Sequence, residues 1–89
     1  MAEIHLEITN EVGLHARPAA LFVQTANKFK CTITAINGDT SVNAKSILSV
    51  LTLGADKGSV LIVKADGEDA DQAIQAFKEL HANNFGEKA

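Results

Sequence analysis

The stretch from Cys31 to Asn43, CTITAINGDTSVN, decides the fold. Residues 31–36 are β-prone and predict a strand, and the Asn37-Gly38 pair that follows is a strong hairpin signal. Thr40–Asn43 then returns as a short second strand. Because a hairpin pairs its strands antiparallel, much of the sheet is expected to be antiparallel.

Two further strands are predicted outside this hairpin. Residues 2–9 alternate between apolar and polar side chains, which is the period of a half-buried strand; the apolar face would hold Ala2, Ile4, Leu6 and Ile8. Residues 60–65, VLIVKA, form the strand that we expect to be the most buried. Residues 10–14 are interpreted as a loop, and Asp56-Lys57-Gly58 as a turn.

The first predicted helix covers residues 16–27, where apolar residues recur at three- and four-residue spacing: Ala19, Phe22, Val23 and Ala26. Pro18 is tolerated only within the first turn, where its missing N–H costs nothing. The helix should therefore begin near Ala16, which places His15 at or next to the N-cap.

Two shorter signals predict the remaining helices. Ser46 as N-cap and Gly54 just past the end bracket a helix of about two turns. The last helix runs from about Ala70 to Asn83 behind an acidic turn, and residues 84–89 are expected to fray. Its apolar face would hold Ala70, Ile74, Phe77, Leu80 and His81.

The predicted order is βαββαβα over one domain, residues 1–89. Four strands with one apolar face each, and three helices with apolar stripes, favour an α+β fold. We expect an open-faced β-sandwich, in which three helices cover one face of a four-stranded, mostly antiparallel sheet. No linker, repeat or low-complexity segment divides the chain.

The charge balance and the single cysteine exclude several function classes. Eight basic and eleven acidic residues give a net charge of −3, which argues against nucleic-acid binding through bulk charge. Cys31 cannot form an internal disulfide, and no Cys/His cluster has zinc-ligand spacing. The N-terminus lacks signal-peptide features, and no apolar run is as long as a membrane span. These features predict a reduced, cytoplasmic compartment.

The segment GLHARPAA, residues 13–20, predicts an anion site. Unpaired backbone amides at a helix start, here those of Ala16 and Arg17, bind phosphate groups well. The Arg17 guanidinium adds a forked cation. The helix dipole would keep the His15 imidazole neutral and nucleophilic, and would stabilise a phosphoryl group bound to it. The alternative is that His15 is only a surface or capping residue.

The segments GLHARPAALFV and AKSILSVLTLG, with the turn GEDADQA, resemble HPr, the histidine-containing phosphocarrier family of the bacterial sugar phosphotransferase system. The resemblance covers nearly the whole chain. It implies that His15 accepts a phosphoryl group on Nδ1 from phosphorylated enzyme I and donates it to sugar-specific enzyme IIA domains, with Arg17 positioning the phosphate. It also implies a monomeric carrier, without metal or organic cofactor and without membrane insertion, that is not a stand-alone enzyme.

The resemblance further implies a regulatory site and a docking surface. Ser46 matches a serine that an ATP-dependent kinase/phosphorylase modifies in many relatives, and a transcriptional regulator is a further implied partner; Ser46 is equally a good N-cap without any kinase. Ile47, Leu48 and Leu51 cannot all face the core, for which Val50 and Leu53 are better candidates. The partner surface is therefore expected to combine the following residues around His15: Ala20, Gln24, Lys45, Ile47, Leu48 and Leu51.

The chain departs from some relatives in its basic residues. Gln24, Asn27 and Ser49 stand where some relatives carry lysine, which leaves Arg17 and Lys45, with Lys28 as a further candidate. The alternatives are a carrier of the nitrogen branch, or a non-catalytic interaction or regulatory module. His15 argues against a purely regulatory paralogue.

Several polar residues are assigned no chemistry. His5 is expected on a solvated strand face, His81 near the end of the last helix, and Cys31 in the core. The acidic residues Glu68, Asp69 and Asp71 are interpreted as an N-terminal cap of the last helix rather than as a metal site.

Overall fold

The seven elements follow the predicted order βαββαβα. The computed structural model describes residues 2–9, 16–83 and 85, so the predicted loop at 10–14 lies outside the described residues. The strands are β1 (Ala2–Glu7), β2 (Thr32–Asn37), β3 (Thr40–Asn43) and β4 (Val60–Asp66), and the helices are α1 (Ala16–Ala26), α2 (Ile47–Leu51) and α3 (Ala70–Ala82). With five residues, α2 is shorter than the two turns expected.

The strands form one sheet in the order β1-β4-β2-β3, in which every neighbouring pair is antiparallel. The strand predicted to be the most buried is β4, which pairs on both sides, whereas β1 and β3 lie at the edges of this sheet. Val63 of β4 lies opposite Ile4 on one side and Ala35 on the other. The non-consecutive neighbours show that each helical connection crosses the sheet, which brings distant parts of the sequence together.

The predicted hairpin is confirmed, but its turn lies one residue later than the Asn37-Gly38 pair. Asn37 pairs with Thr40, so Gly38 and Asp39 form the two-residue loop. Gly38 has a φ of 60°, whereas Asp39 is not among the residues with positive φ. Positive φ at the first loop residue alone is typical of a type II′ turn, which favours glycine at this position.

The three helices cover one face of the sheet and enclose the core. The apolar alternation predicted for β1 is confirmed, with Leu6 and Ile8 buried. The Phe22 ring of α1 packs against the Phe77 ring of α3, with centroids 4.8 Å apart and planes tilted by 49°.

None of the helices that the structure describes is long and apolar enough to cross a membrane.

The opposite face of the sheet is open to solvent. His5 is exposed on β1, as predicted, and its Nε2 lies 2.7 Å from Glu3 Oε2. Lys64 Nζ, on the neighbouring strand, lies 3.9 Å from the same carboxylate. The hydrogen bond with His5, aided by the charge of Lys64, lowers the pKa of Glu3.

The prediction of a frayed C-terminal tail is wrong at Phe85, which is completely buried. The His81 ring meets the Phe85 ring edge-on, with centroids 5.7 Å apart, and His81 Nε2 donates to the Glu7 carbonyl over 2.8 Å. Phe85 has a φ of 54°, in the left-handed region of backbone conformation. Burial of this aromatic ring outweighs the tendency of a terminus to fray. The other residues of the predicted tail, 84 and 86–89, lie outside the described residues.

Candidate functional site

Helix α1 begins at Ala16, as the position of Pro18 predicts. Pro18 is buried in the first turn and Arg17 is exposed. The first turn contains no acidic residue, so no carboxylate of that turn opposes an anion at the helix start. His15, the predicted phosphoryl acceptor, directly precedes α1 in the sequence and lies outside the described residues.

The two faces of α1 differ in burial. Ala19, Phe22 and Ala26 are completely buried, as the periodicity predicts. Thr25 is also buried, and its Oγ1 donates to the Leu21 carbonyl over 2.8 Å. The other side carries what we call the outer stripe of α1: Arg17 and Gln24, which are exposed, and Ala20, which is half-buried. Their spacing of three and four residues places them in one row that leads to the helix start.

Ser46 is the N-cap of α2, as predicted. Its backbone is extended, with φ −109° and ψ 117°, and its Oγ accepts from the Ser49 amide over 3.4 Å. This distance is long for a hydrogen bond, so the side chain caps the helix weakly. The Ser46 carbonyl accepts from the Val50 amide over 3.0 Å, and Gly54 beyond the C-cap has a φ of 64°. Both residues that bracket the helix in the sequence therefore have the predicted role.

Helix α2 exposes most of its apolar side chains. Leu48 is 74% exposed, Leu51 42% and Ile47 39%, whereas Val50 and Leu53 are only 1% and 5% exposed. This division confirms the prediction that Val50 and Leu53, rather than all of Ile47, Leu48 and Leu51, face the core. We call these three residues the α2 apolar face. Apolar side chains gathered outward on one short helix are typical of a binding surface.

Helices α1 and α2 pack together, so the outer stripe of α1 and the α2 apolar face lie on neighbouring helices. At their junction, Asn27 Nδ2 donates to the carbonyls of Val23 (3.0 Å) and Lys45 (3.1 Å). Lys45 Nζ donates to the Phe29 carbonyl over 2.8 Å. The sequence predicts Lys45 on a basic partner surface. In the structure Lys45 is half-buried, and its ammonium donates one hydrogen bond to a main-chain carbonyl just after α1.

The acidic cap predicted for α3 is confirmed in position, with Asp71 in the first turn of the helix. Asp69 is at the N-cap position of α3 but makes no side-chain cap hydrogen bond. Its carboxylate instead accepts from the backbone amides of Lys30 (2.9 Å) and Cys31 (3.0 Å). The hydrogen bond from the Lys30 amide is the largest of the causes that lower the pKa of Asp69. Asp69 therefore ties the turn before α3 to the start of β2, because a carboxylate binds amides from another loop as readily as those of its own helix.

Cys31 is buried, as predicted, and its thiol is free. Burial raises its pKa, and the neighbouring Asp69 carboxylate raises it further, so the thiol stays protonated. Gly67 lies against it with a φ of 151°, and a Cβ at Gly67 would come within 2.7 Å of Cys31 Cβ. No group of three or more His, Cys, Asp and Glu residues in the described ranges could hold a metal ion.

Residues 2–83 match the protein-family model described as "PTS HPr component phosphorylation site". The chain belongs to the HPr family. It is 47% identical, over 87 residues and 98% of each chain, to the phosphocarrier protein HPr of Xylella fastidiosa strain Temecula1. Members of the family are phosphocarriers of the phosphotransferase system, and this role defines the functional class of the chain.

Solved HPr structures confirm the fold. HPr-C-His from Thermoanaerobacter tengcongensis superimposes with a TM-score of 0.95 at 47% identity, over 100% of both chains. A structure described as an HPr dimer from the same organism gives a TM-score of 0.78 at 48% identity, over 98% of this chain and 100% of that chain. The antiparallel open sheet with three helices is therefore the HPr fold.

Asn27 and Phe85 are the residues whose roles sequence analysis missed. For Asn27, nothing in the sequence indicates that it reaches Lys45, 18 residues away. Phe85 did carry a signal, since an aromatic residue shortly after an amphipathic helix has much surface to bury.

Proposed function

We propose that this chain carries a phosphoryl group on Nδ1 of His15, which it accepts from phosphorylated enzyme I and donates to sugar-specific enzyme IIA domains. The observation that carries the proposal is the match of residues 2–83 to the HPr phosphorylation-site family, combined with a helix that begins at the residue after His15. In the transfer, the Nδ1 lone pair forms a P–N bond while the bond between phosphorus and enzyme I breaks. Donation reverses these roles with the next acceptor.

The start of α1 supplies the means to stabilise the phosphoryl group. The first amides of a helix have no acceptor within it and carry a partial positive charge. Arg17, exposed in the first turn, adds a cation with a forked set of donors. Each dipole effect is worth about 0.3–1 kcal/mol at an exposed site. Such modest stabilisation suits a carrier, which must release the group as readily as it accepts it.

The partners of the proposed carrier would dock on the α2 apolar face and the outer stripe of α1. Leu48 is the most exposed of these apolar side chains, at 74%, and is the best candidate for a central contact. Burying it against a partner would remove apolar surface from water that the isolated chain leaves exposed. The exposed Arg17 lies on the outer stripe of α1 and favours an acidic partner.

Labelling with phosphoenolpyruvate and enzyme I tests the acceptor. We expect acid-labile, base-stable phosphate on the wild type and none on His15→Ala. His5→Ala is the matched control, because His5 is an exposed histidine on the open sheet face and should leave labelling unchanged. Failure of the wild type to be labelled while a reference HPr is labelled in parallel would refute the proposal, as would full labelling of His15→Ala.

We propose a second, regulatory phosphorylation at Ser46. Its support is the position of Ser46 at the start of α2, next to the exposed Ile47. A phosphate there would be stabilised by the helix start yet would add negative charge beside the docking surface. Incubation with ATP and a bacterial seryl kinase should label the wild type but not Ser46→Ala, and should slow transfer to His15. An unlabelled wild type would contradict this part of the proposal alone.

We further propose that the carrier acts as a monomer. The relevant counter-example is the neighbour described as an HPr dimer. Light scattering across a concentration series should give the mass of one 9.4 kDa chain. A mass that doubles with concentration would contradict the monomer.

A further inference from the structure

Helix α2 has little of its own to hold it in place. Its five residues are far too few for an independently stable helix, and among them only Val50 is buried. At its end, Asn37 Nδ2 donates to the Leu53 carbonyl over 2.9 Å and so fixes the exit of the helix to β2. The entry to α2 must be fixed separately, because the N-cap bond within Ser46–Ser49 is long and links the helix only to itself.

Two hydrogen bonds that run in opposite directions connect this entry to the segment just after α1. Asn27, just past the end of α1, donates from Nδ2 to the Lys45 carbonyl. Lys45 donates from Nζ to the Phe29 carbonyl, two residues beyond Asn27. Because the acceptor on Lys45 is a carbonyl, only the amide nitrogen of Asn27 can face it. The Lys45 amide is itself held by Asn43 Oδ1 at 3.0 Å, which extends the connection to the end of β3.

We propose that Asn27 and Lys45 form a clamp that fixes α2 against the C-terminal end of α1, and that both are positioning residues for phosphoryl transfer. This inference rests on the proposed function. The clamp sets where the α2 apolar face lies relative to the outer stripe of α1. A partner that contacts both surfaces binds better when their relative position is fixed. Any motion between them would be lost on binding, at a cost in free energy. The clamp therefore acts on docking and not on the chemical step at His15.

This role separates Asn27 and Lys45 from residues that contact the partner by charge. Asn27 is neutral, so a loss of transfer on its replacement cannot come from lost attraction to an acidic surface. The two bonds should also behave as one unit, since each keeps the segments within reach of the other. Lys45→Arg retains a cationic donor and should restore much of what Lys45→Met loses.

The first test is the rate of transfer from phosphorylated enzyme I at varied concentrations of the chain. We expect Asn27→Ala to raise KM about two- to fivefold, as befits loss of one partly solvated hydrogen bond, with kcat nearly unchanged. Lys45→Met should raise KM similarly, and the double variant little more than either single one. The effect of Asn27→Ala should persist in high salt, which screens surface charges. Gln75→Gly is the control for general destabilisation, since it weakens the exposed side of α3 and should leave KM unchanged.

The second test needs no partner. The Val50 amide, which is bonded to the Ser46 carbonyl at 3.0 Å, reports opening of α2 by hydrogen exchange. The exchange of the Val50 amide should accelerate several-fold more in Asn27→Ala than in Gln75→Gly, when the two variants are compared under conditions of equal stability. Unchanged Val50 exchange, or an unchanged KM in a chain that is labelled normally, would overturn the clamp. A wild type that is not labelled at all would refute the proposed function, while Val50 exchange would still decide the clamp.

Discussion

Helices α2 and α3 use apolar side chains in opposite ways. Over 13 residues, α3 buries Ala70, Ala73 and Phe77 against the sheet and α1. Over five residues, α2 buries only Val50 and turns its other apolar side chains outward. We propose that this outward apolar surface of α2 serves contact with partners. The contrast predicts that changes on α3 affect stability and changes on α2 affect transfer.

The largest effect on stability is expected from Phe77→Ala. Phe77 is completely buried, and its ring packs against Phe22. Loss of the ring removes apolar burial and leaves a cavity, which should lower the free energy of unfolding by about 3–5 kcal/mol. Urea denaturation followed by circular dichroism measures this change. A loss below about 1 kcal/mol would mean that α3 contributes far less to the core than its burial indicates.

A smaller, pH-dependent loss is expected from Asp69→Asn. Folding holds the pKa of Asp69 below its ordinary value of 3.8, so the unfolded chain binds the proton more readily than the folded one. The stabilisation is therefore complete above that ordinary value and is lost as the pH falls through the folded pKa. Melting curves from pH 7 to pH 2 should show the wild type more stable at neutral pH and the two proteins converging in acid. Parallel curves would show that the Asp69 carboxylate does not stabilise the fold.

Ser46→Ala should cost still less. The Ser46 Oγ accepts from the Ser49 amide over a long 3.4 Å, so we expect the lower part of the usual range for an N-cap, about 0.5–1 kcal/mol. Thermal melting at neutral pH measures the change. A loss as large as that of Phe77→Ala would show that α2 supports the core far more than its five residues indicate.

The smallest effect on stability, and the sharpest contrast, is expected from Leu48→Ser. With the side chain 74% exposed, its replacement should change the free energy of unfolding by no more than about 0.5 kcal/mol. The same change should raise KM for transfer from phosphorylated enzyme I, because the partner would lose an apolar contact. Gln72→Ser, at an exposed position of α3, is the matched control and should alter neither quantity. Unaltered transfer by Leu48→Ser would remove Leu48 from the docking surface.

The parts of the fold that follow from local pattern were predictable. Alternation predicted β1, Pro18 predicted the start of α1, and Ser46 and Gly54 predicted the bounds of α2 to within a few residues. The outward α2 apolar face was also predictable, since a helix this short has room for only a small buried side. These features depend on neighbours within a few positions, which the sequence displays directly.

The hairpin and the acidic turn show where such reasoning ends. Asn37-Gly38 predicted a hairpin, but pairing of Asn37 with Thr40 shifted the turn by one residue. Asp69 occupies a cap position, yet its carboxylate binds amides 38 and 39 residues earlier in the chain. At the hairpin, a strand pairing three residues along the chain set the turn, whereas at Asp69 amides from a distant segment were better placed than those of its own helix.

The sequence by itself determined the order of the elements, which faces of the helices are apolar, and the motif around His15 that indicates phosphoryl chemistry. Tertiary structure alone decided that Phe85 joins the core, that Asp69 bridges two loops, and that Asn27 and Lys45 meet between α1 and α2. The physical reason is the distance along the chain over which each interaction acts. Propensity and periodicity act over a few residues, whereas a hydrogen bond or a buried ring depends on which distant atoms the folded chain brings within reach.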